Sequence, residues 1–422
     1  MQKTDRYRIP ADYYLIMLIC SSFVVLALCM DAPMDIIRNY YRLNISRSVL
    51  VTDYTALAGI GATLVNSAVS GFLCLFMLII KKRSPNGKIM AALFLTMGFS
   101  LFGKNLFNTL PLYVGVWLYA KTCRIKGRDM LVTAMLSATI APLISEIAFL
   151  NGTFSPARIV MSYAVGLSVG FIFPIVADAA RRMHKGFCLY NCGTAGGFIA
   201  TFAVGLLKSF GIEILPENLW DESHTLFLAS FAYIFAAIFI VYGFAADRPL
   251  NAVKKYFRLL GEKDENDDDY LTKYGAACYI NIGVLCVLAT TLMLLLKIPV
   301  NGPVLGGIFT VMGFAAAGKH LRNTAPILLG SVAAAYLNHY ELAYSANVLA
   351  ILFSTGLAPI SGKFGWHWGI IAGFLHVSVA VFIGNLNGGL NLYNNGFAGS
   401  FVAITAVPVI VFIKGMPVKK KP

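Results

Sequence analysis

Two short segments of this chain are near-copies of each other and place polar side chains within apolar sequence. The first cassette reads G-K-N-L-F-N-T-L-P over 103–111, and the second reads G-K-H-L-R-N-T-A-P over 318–326. Their amide and hydroxyl groups can donate and accept hydrogen bonds with a small polar solute. Proline removes a backbone donor and glycine loosens a helix, so each cassette predicts a helix break. The candidate pathway residues here are Asn108, Thr109, Pro111, Asn323, Thr324 and Pro326.

The same residues have a second interpretation as helix caps. Asparagine or threonine commonly caps a helix that has proline in its first turn. The two interpretations are compatible, because a capped half-helix directs its positive N-terminal end toward the pathway.

Each cassette also contains a lysine, Lys104 or Lys319. A lysine at membrane depth is costly and would imply an anion or a carboxylate partner. The alternative is a lysine at a helix end whose ammonium group extends to the lipid headgroups. The two cassettes differ in charge, because Arg322 stands where the first has Phe107.

A second shared pattern, G-x-x-L-Y-N-x-G-x-A-G-x-F, occurs at 186–198 and 389–401. Its small residues allow helix backbones to approach closely, so its polar residues could either line a pore or complete helix packing. We expect pore lining, because both copies keep the Tyr-Asn pair. The candidates are Tyr190, Asn191, Tyr393, Asn394 and Asn395.

Two further ionisable residues, Glu146 and His376, lie within apolar runs and could couple transport to protons. A single histidine in a helix is otherwise a packing residue. The small number of charges at depth favours a neutral solute over strong ion coupling.

The elements that position these residues are membrane-spanning helices. Of the 422 residues, 58% are hydrophobic and only 13% are charged, which is unusual for a soluble domain. The apolar runs are continuous, so helices are predicted and a barrel is disfavoured. The clearest runs cover 13–30, 54–80, 131–150, 159–177, 226–244, 278–296 and 402–413.

The net charge of +14 does not indicate nucleic-acid binding, because the basic residues cluster at helix ends. Cys188 and Cys192 lack nearby ligands at a zinc spacing, so no metal site is expected. Signatures of hydrolases, metalloproteases and nucleotide-binding loops are absent from the sequence, so we expect neither an enzyme nor a cofactor.

The cassettes belong to a longer internal repeat. At a constant offset of 215, segments 93–115 and 308–330 align without gaps and share 11 of 23 residues. We therefore expect two homologous halves with accessory segments around them. The predicted divisions are an N-terminal region with an accessory helix (1–51), the first repeat (52–212), an accessory helix (213–247), a charged cytoplasmic linker (248–270), the second repeat (271–414) and a basic tail (415–422).

Charge placement predicts the orientation. If both termini are cytoplasmic, and if segments 88–103 and 105–121 return to one side, 25 of the 34 Lys and Arg residues lie inside. The two halves are then inverted relative to each other, an arrangement that places transport sites at the repeat interface. If only one of those two segments spans the membrane, the repeats become parallel.

Over nearly the whole chain, the order N-T-x-P, A-P and L-Y-N-N-G-F-A-G resembles an uncharacterised family of bacterial membrane proteins known as a domain of unknown function. More distantly, the plan is similar to urea transporters, in which two inverted halves each carry an Asn-Pro cassette and a later Tyr-Asn-Gly segment. Here the cassette reads Asn-Thr-x-Pro, and one residue intervenes before Gly193 and Gly396. The resemblance implies a urea-transporter-like, all-α polytopic fold with broken or half-length helices.

The predicted function is a channel or facilitative transporter for a small polar, neutral solute. The alternative is a proton- or sodium-coupled transporter of an organic anion or nucleobase-like solute, and a membrane enzyme or sensor is a third class. The expected partners are the lipid bilayer of the inner cell membrane, the solute and further copies of the chain.

Overall fold

The computed structural model describes residues 9–152, 155–214, 217–263, 269–338 and 341–416. Within these ranges, ten helical segments are long and apolar enough to cross a membrane. Large apolar side chains such as Phe202, Phe382 and Phe412 are exposed on these helices, as contact with lipid tails requires. The prediction of an all-α, multi-pass membrane protein is confirmed.

The N-terminal region and the first half contain nine helices in the described ranges. They are α1 (Ala11–Met30), α2 (Pro33–Asn44), α3 (Tyr54–Ile80), α4 (Gly87–Phe99), α5 (Leu106–Thr122), α6 (Leu131–Ser137), α7 (Ala141–Ala148), α8 (Pro156–His184) and α9 (Asn191–Ser209).

The rest of the described chain adds ten helices. They are α10 (Thr225–Ala245), α11 (Pro249–Leu259), α12 (Tyr270–Tyr274), α13 (Ala276–Leu295), α14 (Gly302–Ala315), α15 (Leu321–Leu337), α16 (Ser345–Ser354), α17 (Ala358–Phe364), α18 (Trp366–Leu386) and α19 (Asn394–Ile413).

One predicted continuous run is interrupted. The run at 131–150 divides into α6 and α7, which are separated by a 3-10 turn at Ala138–Ile140. Pro142 explains the interruption, because its ring lacks an N–H and would clash with the carbonyl group four residues earlier. The second half has the same arrangement, with a turn at Thr355–Leu357 between α16 and α17, where Pro359 follows.

Two short apolar helices, α4 and α14, form the centre of the molecule and pack against each other. All residues of α14 are buried, as are all residues of α4 except Lys88. The backbones touch where a Cβ on Gly98 would lie only 2.9 Å from the carbonyl oxygen of Gly306. This core therefore joins the first half directly to the second.

Several predicted charged segments lie outside the described residues. They are the basic N-terminal residues Lys3, Arg6 and Arg8, the acidic run 264–268 of the linker, and most of the basic tail, 417–422.

Candidate functional site

The cassettes form the N-terminal caps of α5 and α15. Asn105 and Asn108 make reciprocal side-chain to backbone hydrogen bonds of 3.0 and 2.9 Å at the start of α5. At the start of α15, the backbone N–H of His320 donates to Asn323 Oδ1 at 2.9 Å, and His320 Nδ1 accepts from the N–H of Asn323 at 3.3 Å. These reciprocal pairs satisfy N–H groups that a helix start leaves without partners. The structure therefore shows the capping arrangement, with Asn105 and His320 as the cap residues.

The side-chain NH2 groups of Asn108 and Asn323 also donate hydrogen bonds. Asn108 Nδ2 donates to the carbonyl oxygen of Gly103 at 3.1 Å and to Ser145 Oγ at 3.0 Å. Asn323 Nδ2 donates to the carbonyl oxygen of Gly318 at 3.0 Å. Both asparagines are buried, and neither lines the three cavities described below. Their role in the structure is to hold the backbone breaks in shape.

The other predicted cassette residues are also placed within the helix starts. Thr109 Oγ1 donates to the carbonyl oxygen of Asn105 at 2.8 Å, and Thr324 Oγ1 donates to Asn323 Oδ1 at 3.1 Å. Pro111 and Pro326 lie inside α5 and α15, beyond the first turn. None of these four residues lines the three cavities.

Two further asparagines complete the breaks from outside the cassettes. Asn66 Nδ2 donates to the carbonyl oxygens of Ser100 and Lys104, at 2.7 and 2.8 Å. Asn281 Nδ2 donates to the corresponding carbonyl oxygens of Ala315 and Lys319, at 2.9 and 2.7 Å. Backbone carbonyl groups released by a broken helix need partners at membrane depth, and one amide supplies both.

The two cassette lysines are fully buried, and each contacts the opposite half of the chain. Lys104 Nζ donates to the hydroxyl group of Tyr393 at 3.2 Å. Lys319 Nζ donates to the hydroxyl group of Tyr190 and to Thr355 Oγ1, the latter at 2.7 Å. The alternative in which these side chains extend to the headgroups is inconsistent with this burial. The lysines therefore bind the two halves to each other.

The Tyr-Asn segments lie where α9 and α19 begin. A Cβ on Gly396 would lie 2.6 Å from the carbonyl oxygen of Tyr190, and a Cβ on Gly193 would contact the carbonyl oxygen of Tyr393. Glycine is therefore required for this close crossing of the two helix starts.

Each Tyr-Asn segment also bonds to the interrupted helix of the other half. The N–H of Leu189 donates to the carbonyl oxygen of Gly356 at 2.9 Å. The N–H of Leu392 donates to the carbonyl oxygen of Thr139 at 2.8 Å. The 3-10 turns thus supply backbone acceptors to the facing half.

Three cavities surround this crossing. The first, which we call the basic cavity, has a volume of about 260 Å³ and is lined by Lys88, Arg181, His184 and Asn191 among others. The second, the amide cavity, has a volume of about 270 Å³. Its polar lining residues are Lys208, Glu217, Asn218, Tyr344, Ser345, Asn385, Asn394 and Asn395.

The third cavity, the neck, has a volume of only about 20 Å³ and is lined by both tyrosines together with Phe99, Phe314 and Phe353. It shares Cys192 and Phe314 with the basic cavity and Asn395 with the amide cavity.

The basic and amide cavities lie at opposite ends of α9. Cys192, at the start of the helix, lines the basic cavity, whereas Lys208, near its end, lines the amide cavity. At 1.5 Å per residue, these positions are about 24 Å apart along the helix. The neck lies between them, at the helix crossing. Of the predicted pathway residues, Tyr190, Asn191, Tyr393, Asn394 and Asn395 line at least one of these spaces.

Glu146 and His376 occupy different environments. Glu146 is buried and forms a two-point ion pair with Arg47, at 2.9 and 3.0 Å. His376 is also buried, and its Nε2 lies 3.1 Å from Asn395 Oδ1. His376 therefore reaches the amide cavity and the neck through Asn395, whereas Glu146 fastens the chain before α3 to α7. In the described residues, no group of three or more His, Cys, Asp or Glu side chains could hold a metal ion.

The family described as "Protein of unknown function (DUF1576)" matches residues 32–209 and 248–412. The chain belongs to the DUF1576 family. The matched segments of this DUF1576 chain omit α1 and α10, the two helices expected to be accessory. No curated protein and no solved structure matches the chain, so the similarity to urea transporters stays a prediction.

Several residues of this site, Thr355, Phe353 and His184, are not marked by any of the repeated patterns. Their positions follow from packing between distant helices, which no local pattern encodes. Thr355 carried a usable signal, because the 3-10 turn begins with this hydroxyl residue in the second half and with Ala138 in the first.

Proposed function

We propose that this chain is a channel or facilitative transporter for a small polar solute, with its pathway between the two halves. The observation that carries this proposal is the line formed by the basic cavity, the neck and the amide cavity along α9. The neck has room for about one water molecule, so the structure corresponds to a closed pathway. Opening would require movement of Phe353 or its neighbours.

We propose that the two halves are inverted in the membrane. Val204, near the end of α9, lies close to Gly388, which follows α18. Lys414, at the end of α19, donates to the carbonyl oxygen of Phe364, which precedes α18. Helices α9 and α19 start side by side and run toward opposite ends of α18, which supports inversion. With the predicted charge asymmetry, the basic cavity faces the cytoplasm of a bacterial cell and the amide cavity faces outward.

The apolar neck and the small number of charges along it favour a neutral solute. One observation favours a second candidate, a coupled transporter of an organic anion. Lys104 and Lys319 are buried beside hydroxyl groups, and neither forms an ion pair within the described residues. A buried ammonium group without a carboxylate partner is costly, and a passing anion would reduce that cost.

Flux into proteoliposomes tests the proposal. The purified protein should admit radiolabelled urea, glycerol, acetamide or acetate faster than protein-free vesicles of the same lipid. Uptake that persists after an imposed pH gradient is collapsed supports the facilitative mechanism. Uptake that disappears with the gradient supports the coupled anion transporter. Equal permeation in both vesicle types for the whole panel contradicts the transport proposal.

A further inference from the structure

His184, which lines the basic cavity, carries a hydrogen-bond donor without a partner in the described residues. His184 is only 2% exposed, and its Nδ1 accepts from the backbone N–H of Gly186 at 3.2 Å. The proton of the neutral imidazole is therefore on Nε2, which has no hydrogen-bond partner within the described residues. A buried N–H group without a partner is costly, so such a group calls for a partner such as a water molecule, an ion or a ligand.

The surroundings of this donor are electropositive. Lys88 and Arg181 line the same cavity, and none of its described lining residues is an aspartate or a glutamate. The first two residues of α9, Asn191 and Cys192, also line it, so the positive N-terminal end of that helix points into the cavity. The carbonyl oxygen of His184, at the end of α8, already accepts from the N–H of Phe187.

We propose that the basic cavity binds the oxyanion group of a small solute, a carboxylate or a phosphate. His184 Nε2–H and the first turn of α9 would donate hydrogen bonds to this group, and Lys88 and Arg181 would supply attraction over a longer range. The inference rests on the proposed transport function and names the substrate class for one end of that pathway. It therefore supports the second candidate, the anionic solute, against the neutral solute that the apolar neck favours.

The cavity is large enough for a solute, since its volume of about 260 Å³ exceeds the space that one water molecule needs. It also shares Leu136, Leu189 and Phe314 with the neck. An anion bound by His184 would lie directly beside the neck, which is the closed part of the pathway. The buried Lys319 lies next along it, bonded to Tyr190, which lines the neck.

Binding to the purified full-length protein tests this assignment without requiring flux. Sodium acetate and inorganic phosphate should raise the thermal midpoint saturably at constant ionic strength, whereas the neutral isostere acetamide should not. His184→Leu should weaken acetate binding roughly tenfold or more, because it removes a hydrogen bond to a charged group. His184→Gln restores an N–H donor and should recover most of the affinity.

Two matched controls separate the site from general charge effects. His367→Leu removes an exposed histidine that does not line the cavity, and it should bind acetate like the wild type. Arg181→Gln should weaken binding, whereas Arg182→Gln should not, because Arg181 lines the cavity and Arg182 does not.

Equal responses to acetate and acetamide in the wild-type protein would overturn the assignment, even if His184→Leu failed to fold. A lipid headgroup is the competing source of the same chemistry. If phosphatidylglycerol in nanodiscs stabilises the protein and acetate and phosphate do not, the solute assignment is wrong. Anion binding without flux would refute the transport proposal but not this site. Flux of neutral solutes without anion binding would refute this site but not the transport proposal.

Discussion

Lys104 Nζ of the first half lies 3.2 Å from the hydroxyl oxygen of Tyr393 in the second half. The reciprocal contact joins Lys319 of the second half to Tyr190 of the first. Each pair connects a helix break in one half to the start of the last helix in the other. The two halves therefore close each other's breaks, and the neck lies between the two tyrosine rings.

The two lysine–tyrosine pairs should differ in strength. Tyr393→Phe removes the hydroxyl partner that the structure gives Lys104, and it should cost about 1–3 kcal/mol of stability. Tyr190→Phe should cost less, because Thr355 Oγ1 remains 2.7 Å from Lys319 Nζ. Thermal unfolding of both variants in one detergent measures the difference. The double variant with Thr355→Ala and Tyr190→Phe should lose about as much stability as Tyr393→Phe. Equal losses of stability in the two single variants would contradict this account.

The close crossing of α9 and α19 gives a second prediction. Gly193→Ala should destabilise the protein by about 1–3 kcal/mol, because the added methyl group meets the backbone of Tyr393. Gly205→Ala, on the same helix, adds a methyl group with no atom within 4 Å, and should be neutral or stabilising by up to about 1 kcal/mol. Unfolding midpoints of the two variants provide the measurement. Similar destabilisation by both would mean that the crossing is not tight.

The cassette asparagines should affect stability more than solute recognition. Asn108→Ala and Asn323→Ala should each cost about 1–2 kcal/mol, because each removes one side of a reciprocal cap. Asn108→Ala also loses the bond to Ser145. In flux assays, folded variants should keep the wild-type KM. A large rise in KM at unchanged stability would place these residues in contact with the solute.

The ion pair of Glu146 with Arg47 gives a test of proton coupling. Arg47→Gln leaves a buried carboxylate without its partner and should cost about 3–5 kcal/mol. The double variant with Glu146→Gln should recover much of that stability, which urea unfolding can measure. If Glu146→Gln alone abolishes the response of uptake to a pH gradient while the protein stays folded, Glu146 is a coupling residue rather than a structural one.

Local patterns in the sequence were sufficient to predict much of the fold. Long apolar runs mark α1, α3 and α10, because lipid requires about 20 apolar residues in a spanning helix. The Gly and Pro residues of the cassettes predicted the breaks between α4 and α5 and between α14 and α15. Span 191–209 was not among the clear runs, because glycine and threonine dilute its apolar character.

The site was only partly predictable. The Tyr-Asn sequence pair, which occurs in both halves and includes Tyr190 and Tyr393, identified residues that line the cavities. In contrast, the contact between Lys104 and Tyr393 joins residues 289 positions apart, and only the packing of the two halves creates it. The amide groups of Asn108 and Asn323 could bind a solute or cap a helix. The residues that surround them in the fold decide between these two roles.

Solute flux through a widened neck tests the central claim most directly. Phe353 is buried and lines the neck, so Phe353→Ala should raise the flux of small polar solutes into proteoliposomes about tenfold or more. Phe353→Leu should give a smaller rise with less loss of packing. Phe382→Ala, at an exposed position on α18, is the matched control and should leave flux at the wild-type rate. If folded Phe353→Ala and Phe353→Leu proteins admit solutes no faster than Phe382→Ala, the pathway does not pass between Tyr190 and Tyr393.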